Sequence, residues 1–302
     1  MPLNSMLHHD VLLGNVSVKY VPQGMIAEQV FPAVLVKKDM DLFRVYDRNW
    51  KLPETKRANK GLAREWDFAV TTSAYALEKH AIKSYISDDD QDNYDIADLR
   101  VDTTEELTRV IDLRKEKSVA DLFASTAHWS QNLSLSAAQQ FNGTSTANPI
   151  PIFDTAATTV IKQSGFVPNF GIITHDQYIA CKNNAQILER IKYTSREMTL
   201  TMLQALFDLP QLLKANAVYD SAAEGLAATI TDVWADNCFV GYKPDSASPL
   251  KPSSGYIFTK ATPTVKRWRV EEREAEAIEV TKKYQAKVVA SLSGFLIVNA
   301  LA

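Results

Sequence analysis

The 302-residue sequence lacks the features that most function classes require. Its two cysteines, Cys181 and Cys238, are too few for a disulfide framework and predict folding in a reducing compartment. No apolar run approaches the ~18 residues of a membrane span. The opening MPLNSMLHHDVLLG has no basic segment followed by an apolar block, so no signal peptide is read there. Without secretion, the sequon Asn142-Gly143-Thr144 carries no weight. A net charge of −3 and a pI near 6.0 leave no basic footprint for sequence-specific nucleic-acid binding.

Catalytic signatures are missing too. The sequence has no G-x-S-x-G elbow, no phosphate-binding G-x-x-x-x-G-K-[ST] and no H-E-x-x-H. His8, His9, His80, His128 and His175 are scattered, and none falls into a ligand spacing. Cys181 lies in a helical stretch and Cys238 in a strand, where a cysteine usually serves as a small buried hydrophobe. Asp88-Asp89-Asp90 and Asp92 invite a calcium reading. A calcium loop counted from Asp88 needs Gly sixth and Glu twelfth, and those positions hold Asn93 and Leu99. The run is better read as a solvated turn. No catalytic residue, cofactor or metal is expected.

What is present is a folded composition, 46% apolar and 23% charged. Residues 1–40 are short apolar pieces punctuated by Pro2, Pro22 and Pro32, and read as an N-terminal arm. Leu42–Tyr46 and Trp66–Leu77 are strand-like. Between them runs a long polar excursion with Lys51, Lys56, Arg57, Lys60 and Arg64. An isolated monomer would carry this as a solvated hairpin, although loops of that length are usually functional.

A long helix is predicted over about residues 103–128, opened by a capping box of Thr103 and Glu106. At about 25 residues it would be roughly 38 Å long. Leu107, Val110 and Ile111 share a face, but Val119, Leu122 and Phe123 point well around from it, so the helix should meet different partners along its length. Residues from Trp129 to Pro151 read as loop. Beyond lie a short buried strand at Phe170–Ile173 and helices at His175–Asn183, at Gln186–Tyr193 and from Ser195. Strands are expected at Leu212–Tyr219, Thr229–Tyr242, Val265–Val270, Ala277–Ala290 and within Val288–Leu301.

This order of parts resembles the major capsid proteins of tailed bacteriophages, which share the Hong Kong 97-type fold. The resemblance is carried by Phe170-Gly171-Ile172-Ile173-Thr174-His175, by Ile187–Tyr193 and by Thr199–Phe207 leading into Leu212–Tyr219. Val233-Trp234 through Phe239–Pro244, with Gly255–Thr259 beyond, adds to it. It implies an α+β fold in which 1–40 is the arm and 41–77 an extended hairpin loop. Residues 78–132 and 255–287 would be a peripheral domain with the long helix as spine, and 133–254 with 288–302 an axial α/β domain. The implied protein is a structural head protein without enzyme activity. It would self-assemble through pentamers and hexamers into an icosahedral shell around phage DNA. A bacterial nanocompartment shell of encapsulin type is the alternative on the same fold, and an α/β enzyme with an unrecognised site the more remote one.

The resemblance further implies a homo-oligomer with a separate scaffolding protein, a portal and, in some family members, a decoration protein. The DNA would be held by non-specific contact, no membrane would be involved, and the protein would reside in the virion after assembly in the host bacterial cytoplasm. Between Lys51 and Arg64 lie five bases (Lys51, Lys56, Arg57, Lys60, Arg64) and one acid (Glu54), a net of +4. Between Glu271 and Glu279 lie five acids (Glu271, Glu272, Glu274, Glu276, Glu279) and one base (Arg273), a net of −4. If the loop overlies a neighbour's peripheral domain, these segments are expected to meet between subunits.

Overall fold

The computed structural model describes residues 8–9, 24–45, 52, 54–57, 59, 61–65, 71–92, 98–143, 147–192, 198–223, 225–260 and 263–301. Along the chain come β1 (His8–His9), α1 (Ala27–Val30), β2 (Ala33–Leu35), β3 (Met40–Val45), β4 (Thr71–Ala76) and β5 (Glu78–Ser87). Then follow α2 (Asp88–Asp92), α3 (Leu99–Ala124), β6 (Asn132–Ser134), α4 (Pro149–Ser164), β7 (Phe170–Thr174), α5 (His175–Asn183), α6 (Ala185–Ile191) and α7 (Leu200–Leu206). The remainder is β8 (Gln211–Ala215), β9 (Val218–Asp220), β10 (Ile230–Asp232), β11 (Cys238–Gly241), β12 (Gly255–Thr259), β13 (Thr264–Val270), β14 (Ala275–Val288) and β15 (Gly294–Val298).

Two sheets organise these elements. The first has the order β1-β13-β14-β12-β2, with β5 also paired to β14. Its axis is β14, whose Ala275–Tyr284 pair with Ser87–Glu78 of β5, while Tyr284–Val288 pair with Thr259–Gly255 of β12. The second sheet has the order β6-β15-β11-β7-β8. Side chains of its strands alternate between two cores, as the two-residue repeat of a strand requires. Phe170, Ile172, Phe239 and Leu296 join the core around α3, and Ile173, Cys238, Val240 and Ile297 join the core under α4–α7.

The long helix α3 ties the sheets together. It starts at Leu99, with the Asp98 side chain accepting from the Arg100 N–H, one turn before the predicted Thr103 cap. Its buried residues lie in two adjacent rows of four-residue spacing, Thr104-Thr108-Asp112-Glu116-Ala120 and Leu107-Ile111-Val119-Phe123. Each step of four advances about 40° around the axis, so the rows wind and a single buried face turns with them. Along that turning face the helix meets β5, β14, α1 and β15, the different partners expected of it. The first row is mostly polar, which hides the face from any count of apolar residues. Val110 instead points out, at 39% exposure.

Every polar member of that row has a partner. Thr104 and Thr108 hydroxyls donate to the carbonyls of Arg100 and Thr104, each at 2.7 Å. Asp112 accepts from Lys282 of β14 at 2.7 Å and pairs with Lys115 at 3.1 Å, and Lys115 reaches Glu28 at 2.6 Å. Glu116, 1% exposed, accepts from the backbone N–H of Ile26 (3.0 Å) and Ala27 (2.8 Å) and from the Trp234 indole (2.6 Å). Burial pushes its carboxyl pKa up, against the pull of those three donors.

Glu116 thus fastens a segment expected to belong to a loose arm. Ile26, Ala27, Val30 and Phe31 are core residues, and β2 pairs in parallel with β12. The Phe31 ring lies 4.6 Å from that of Phe123, and a Cβ at Gly255 would stand 2.2 Å from its Cζ, so the strand must carry glycine there. Residues 26–35, expected to belong to the N-terminal arm, are therefore packed into the body.

Other differences are local. The predicted loop around Pro149–Pro151 is the first turn of α4, capped by Asn148 and ended by Gly165 at φ 74°. The strands expected at Leu212–Tyr219 and Thr229–Tyr242 are each divided, the second by a turn with Ala235 at φ 23°. The helix expected from Ser195 runs over Leu200–Leu206, and residues 193–197 lie outside the described ones. Asp88–Asp92 forms a short helix rather than a turn.

Glu116→Ala leaves three buried donors without their acceptor. At about 1–3 kcal/mol for each unpaired group, offset in part because a buried carboxylate is gone, the expected loss of stability is about 2–4 kcal/mol. Hydrogen exchange checks the cause: the Ile26 and Ala27 amides should lose protection. Unchanged protection there would mean that apolar contacts alone hold the segment.

Candidate assembly surfaces

The hairpin β3–β4 is bound to the body at its root. Met40 to Val45 pair with Ala76 to Thr71, and the side chains alternate between faces. Inward, Phe43 and Tyr75 pack on Phe258 of β12 with ring centroids 5.3 and 4.6 Å away, forming a small core with Val34, Tyr256 and Val289. The Gln285 side chain accepts from the Ala76 N–H at 2.8 Å. Asp39 accepts from Lys260 at 2.8 Å and Lys283 at 3.1 Å, which hold its carboxyl below the usual range.

The other face of the hairpin is uncovered. Met40 is 70% and Leu42 64% exposed, and beside them Leu35 of β2 is 75% exposed. Farther out, Leu52 and Leu62 are almost wholly exposed. Lys56, Arg57 and Arg64 are exposed as well, while Lys51 and Lys60 lie outside the described residues. Apolar and basic groups therefore share one projecting element.

The acidic segment lies at the far turn between β13 and β14. Glu271, Glu272 and Glu274 are exposed around a short 3-10 turn, with Glu274 at φ 43°. Glu271 lies 3.7 Å from Arg269 in an exposed pair, whereas Glu276 is held more firmly. It pairs with Arg100 at 2.6 Å and Arg267 at 3.3 Å, so its charge is used within the chain. Within one chain the structure brings none of the described hairpin bases against these acids. Sequence reasoning missed the polar row Asp112–Glu116. Its one visible sign is charge at four-residue spacing where an apolar stripe should continue.

His80 sits where the returning hairpin strand enters the first sheet. Its ring stacks on Tyr284 at 4.3 Å, and burial pushes its pKa below the usual value, with Glu78 opposing and Arg114 adding to the shift.

No family model matches the sequence. The chain is 24% identical over 298 residues to a protein named major capsid protein from Burkholderia phage BcepMu, covering 95% of each. Its fold is similar to a crystal structure of a phage-related protein from Bordetella bronchiseptica, with a TM-score of 0.79, 20% identity and 97% of both chains covered. It is also similar to a virus-like particle from Pyrococcus furiosus (TM-score 0.61, 12% identity, 94% of this chain and 97% of that one). A capsid structure of cyanophage P-SCSP1u gives a TM-score of 0.59 at 13% identity, over 88% of this chain and 85% of that one.

The chain has the Hong Kong 97-type capsid fold. The whole-length likeness to a protein named major capsid protein and the likeness in fold point the same way. In this capsid fold the hairpin is the element with a satisfied root and an unsatisfied outer face.

The lowered pKa of His80 fixes a sign. The folded chain prefers the neutral ring, so that contribution is complete above the unfolded-state pKa near 6.5 and is lost as pH falls through the lower folded value. His80→Phe keeps the stack without the titration. Between about pH 7.5 and about pH 5 its melting temperature should fall less than that of the wild-type chain. Parallel melting curves would show that His80 does not report on the hairpin root.

Proposed function

We propose that this chain is the major head subunit of a tailed phage, assembling through pentamers and hexamers into an icosahedral shell around double-stranded DNA. The observation that carries the reading is the likeness to a phage major capsid protein along 95% of both chains. The hairpin supports it, because the Met40 and Leu42 side chains on its outer face are largely exposed. In this reading the first sheet and α3 form the peripheral part, the second sheet with α4–α7 the axial part, and the hairpin reaches a neighbouring subunit. A separate scaffolding protein, a portal and, in some shells, a decoration protein complete the assembly. The DNA is held without sequence readout, and the subunit ends in the virion after assembly in the host cytoplasm.

The neighbour from Pyrococcus furiosus keeps a nanocompartment-type shell as the second reading, since its fold is shared over 94% of this chain. Cargo separates the two: genome-length DNA in purified particles supports the phage shell, and protein cargo without DNA the compartment.

Native mass spectrometry and electron microscopy test assembly. The chain should form five- or six-membered rings, and shells when scaffolding protein is present. Replacing residues 48–64 with a short Gly-containing turn should leave the circular dichroism spectrum unchanged while shells fail. A chain that stays monomeric at every concentration would overturn the shell reading, because the stability of an assembly depends on subunit concentration.

The charge match is part of the proposal. Lys51, Lys56, Arg57, Lys60 and Arg64 of one subunit would face Glu271, Glu272 and Glu274 of another, with Glu276 already occupied by Arg100 and Arg267. Exposed pairs contribute only about 0.2–1 kcal/mol each, so they set register rather than supply most of the affinity. Reversing Lys56, Arg57 and Lys60 to Glu should impair assembly, and reversing Glu271, Glu272 and Glu274 to Lys in the same chain should partly restore it. A double reversal that assembles no better than the single one would place the two segments apart.

A further inference from the structure

The ribbon β9–β10 stands outside both sheets, and its two faces differ. Tyr219 and Thr231 are opposite each other on one face, and Tyr219 packs on the core beside α3 with Lys117 Nζ 5.6 Å from its ring. The other face carries Val218 and Ile230, 49% and 64% exposed, with Asp220 and Asp232 opposite them. Asp220 is spent on the turn, accepting from the Ala222 and Thr229 N–H groups at 2.9 and 2.8 Å. Leu226, 72% exposed, lies in that same turn. From Lys214 to Lys243 the sequence between holds four acids (Asp220, Glu224, Asp232, Asp236) and no Lys, Arg or His. The ribbon therefore shows apolar groups to solvent, with Asp220 and Asp232 as its described acids.

A complementary surface lies at the other end of the second sheet. Ile161 (42%), Val167 (67%) and Leu250 (68%) are exposed there, with the exposed Lys162 and Lys251 beside them in the chain, Lys251 bonded to Ser246, and one exposed acid, Asp245, in the same loop as Leu250. Two contacts tie the segment that carries Val167 to the start of the loop that carries Leu250. Phe166 stacks on Tyr242 at 4.8 Å, and the Asn169 side chain exchanges hydrogen bonds with the Lys243 backbone at 2.6 and 3.0 Å. Strand direction separates this corner from the ribbon. The corner precedes β7 and follows β11, whereas the ribbon follows β8, parallel to β7, and precedes β11. The two patches lie beyond opposite ends of strands five residues long, roughly 17 Å. They cannot cover each other within one chain.

We propose that the ribbon of one subunit docks on the Ile161–Val167–Leu250 corner of the next copy of this chain. Two different patches meeting head to tail make a heterologous contact, which closes into a ring when the rotation permits. The apolar groups supply contact area and the acid–base match orients it. The inference rests on the shell reading and names one surface within it.

Native mass spectrometry of the full chain tests it. Leu226→Asp with Ile230→Asp should weaken ring formation roughly tenfold or more, and Val167→Asp with Leu250→Asp should do the same. All four side chains are exposed in the single chain, so unfolding curves should not move. The deciding arm mixes the two variants. Each then holds one intact half of the contact, so mixed dimers should form while closed rings do not. Mixed dimers that never appear, or variants that both assemble like the wild-type chain, would overturn this contact while the shell reading stands. A wild-type chain that makes no rings at all would overturn both.

Discussion

The Glu116 carboxylate is the constraint on which the body depends. It is buried in the middle of α3, and its three donors come from two other parts of the chain, residues 26–27 and Trp234. A carboxylate in such a place is costly unless every lone-pair direction is used, and a helix start offers what it needs, two backbone N–H groups with no partner in their own helix. Once Ile26 and Ala27 are fixed, Phe31 is carried between Phe123 and Gly255, and β2 is laid against β12. Four residues beyond β2, the chain enters the hairpin. The position of the hairpin root is therefore set through an unbroken series of packed contacts from α3.

That series explains how an element can be firmly held and yet incomplete. The inward face of the hairpin root has stacked rings, a side-chain acceptor for Ala76 and two lysines on Asp39. The outward face has Met40 and Leu42 in water. Singly exposed apolar side chains are ordinary, but a contiguous set on a projecting strand marks a surface that a partner covers. A rigid root lowers the entropy lost when such a surface docks, so little contact area is needed at each repeat.

Much of this was legible in the residues. Val265–Val270 and Ala277–Ala290 show the β-branched runs of paired strands, and the structure places strands at Thr264–Val270 and Ala275–Val288. The helix expected at His175–Asn183 has those bounds in the structure, where Thr174 and Gln177 form a capping box at its start. The start of the helix Pro149–Ser164 is hidden by the Ser-, Asn- and Gln-rich stretch that reads as loop through Pro151, although proline is at home in a first helical turn after an Asn cap. The buried face of α3 was illegible for a deeper reason. Periodicity sees apolar residues, and here half of the contact is made by Thr, Asp and Glu whose partners lie up to 170 residues away. The core role of residues 26–35 was hidden likewise, since nothing local to them says that Glu116 awaits their N–H groups.

The charges divide by the same logic. Asp112, Glu116 and Glu276 each meet a partner supplied by a different element and are used up within the chain. Glu271, Glu272 and Glu274 stand around a turn on the surface, as do Lys56 and Arg57 on the hairpin. The first group constrains the fold, because leaving one partner buried and unpaired costs far more than an exposed pair returns. The second group can be exchanged at little cost to the fold of a single chain. A phage-related protein only 20% identical matches the fold over 97% of both chains, so the backbone arrangement tolerates exchange at most positions.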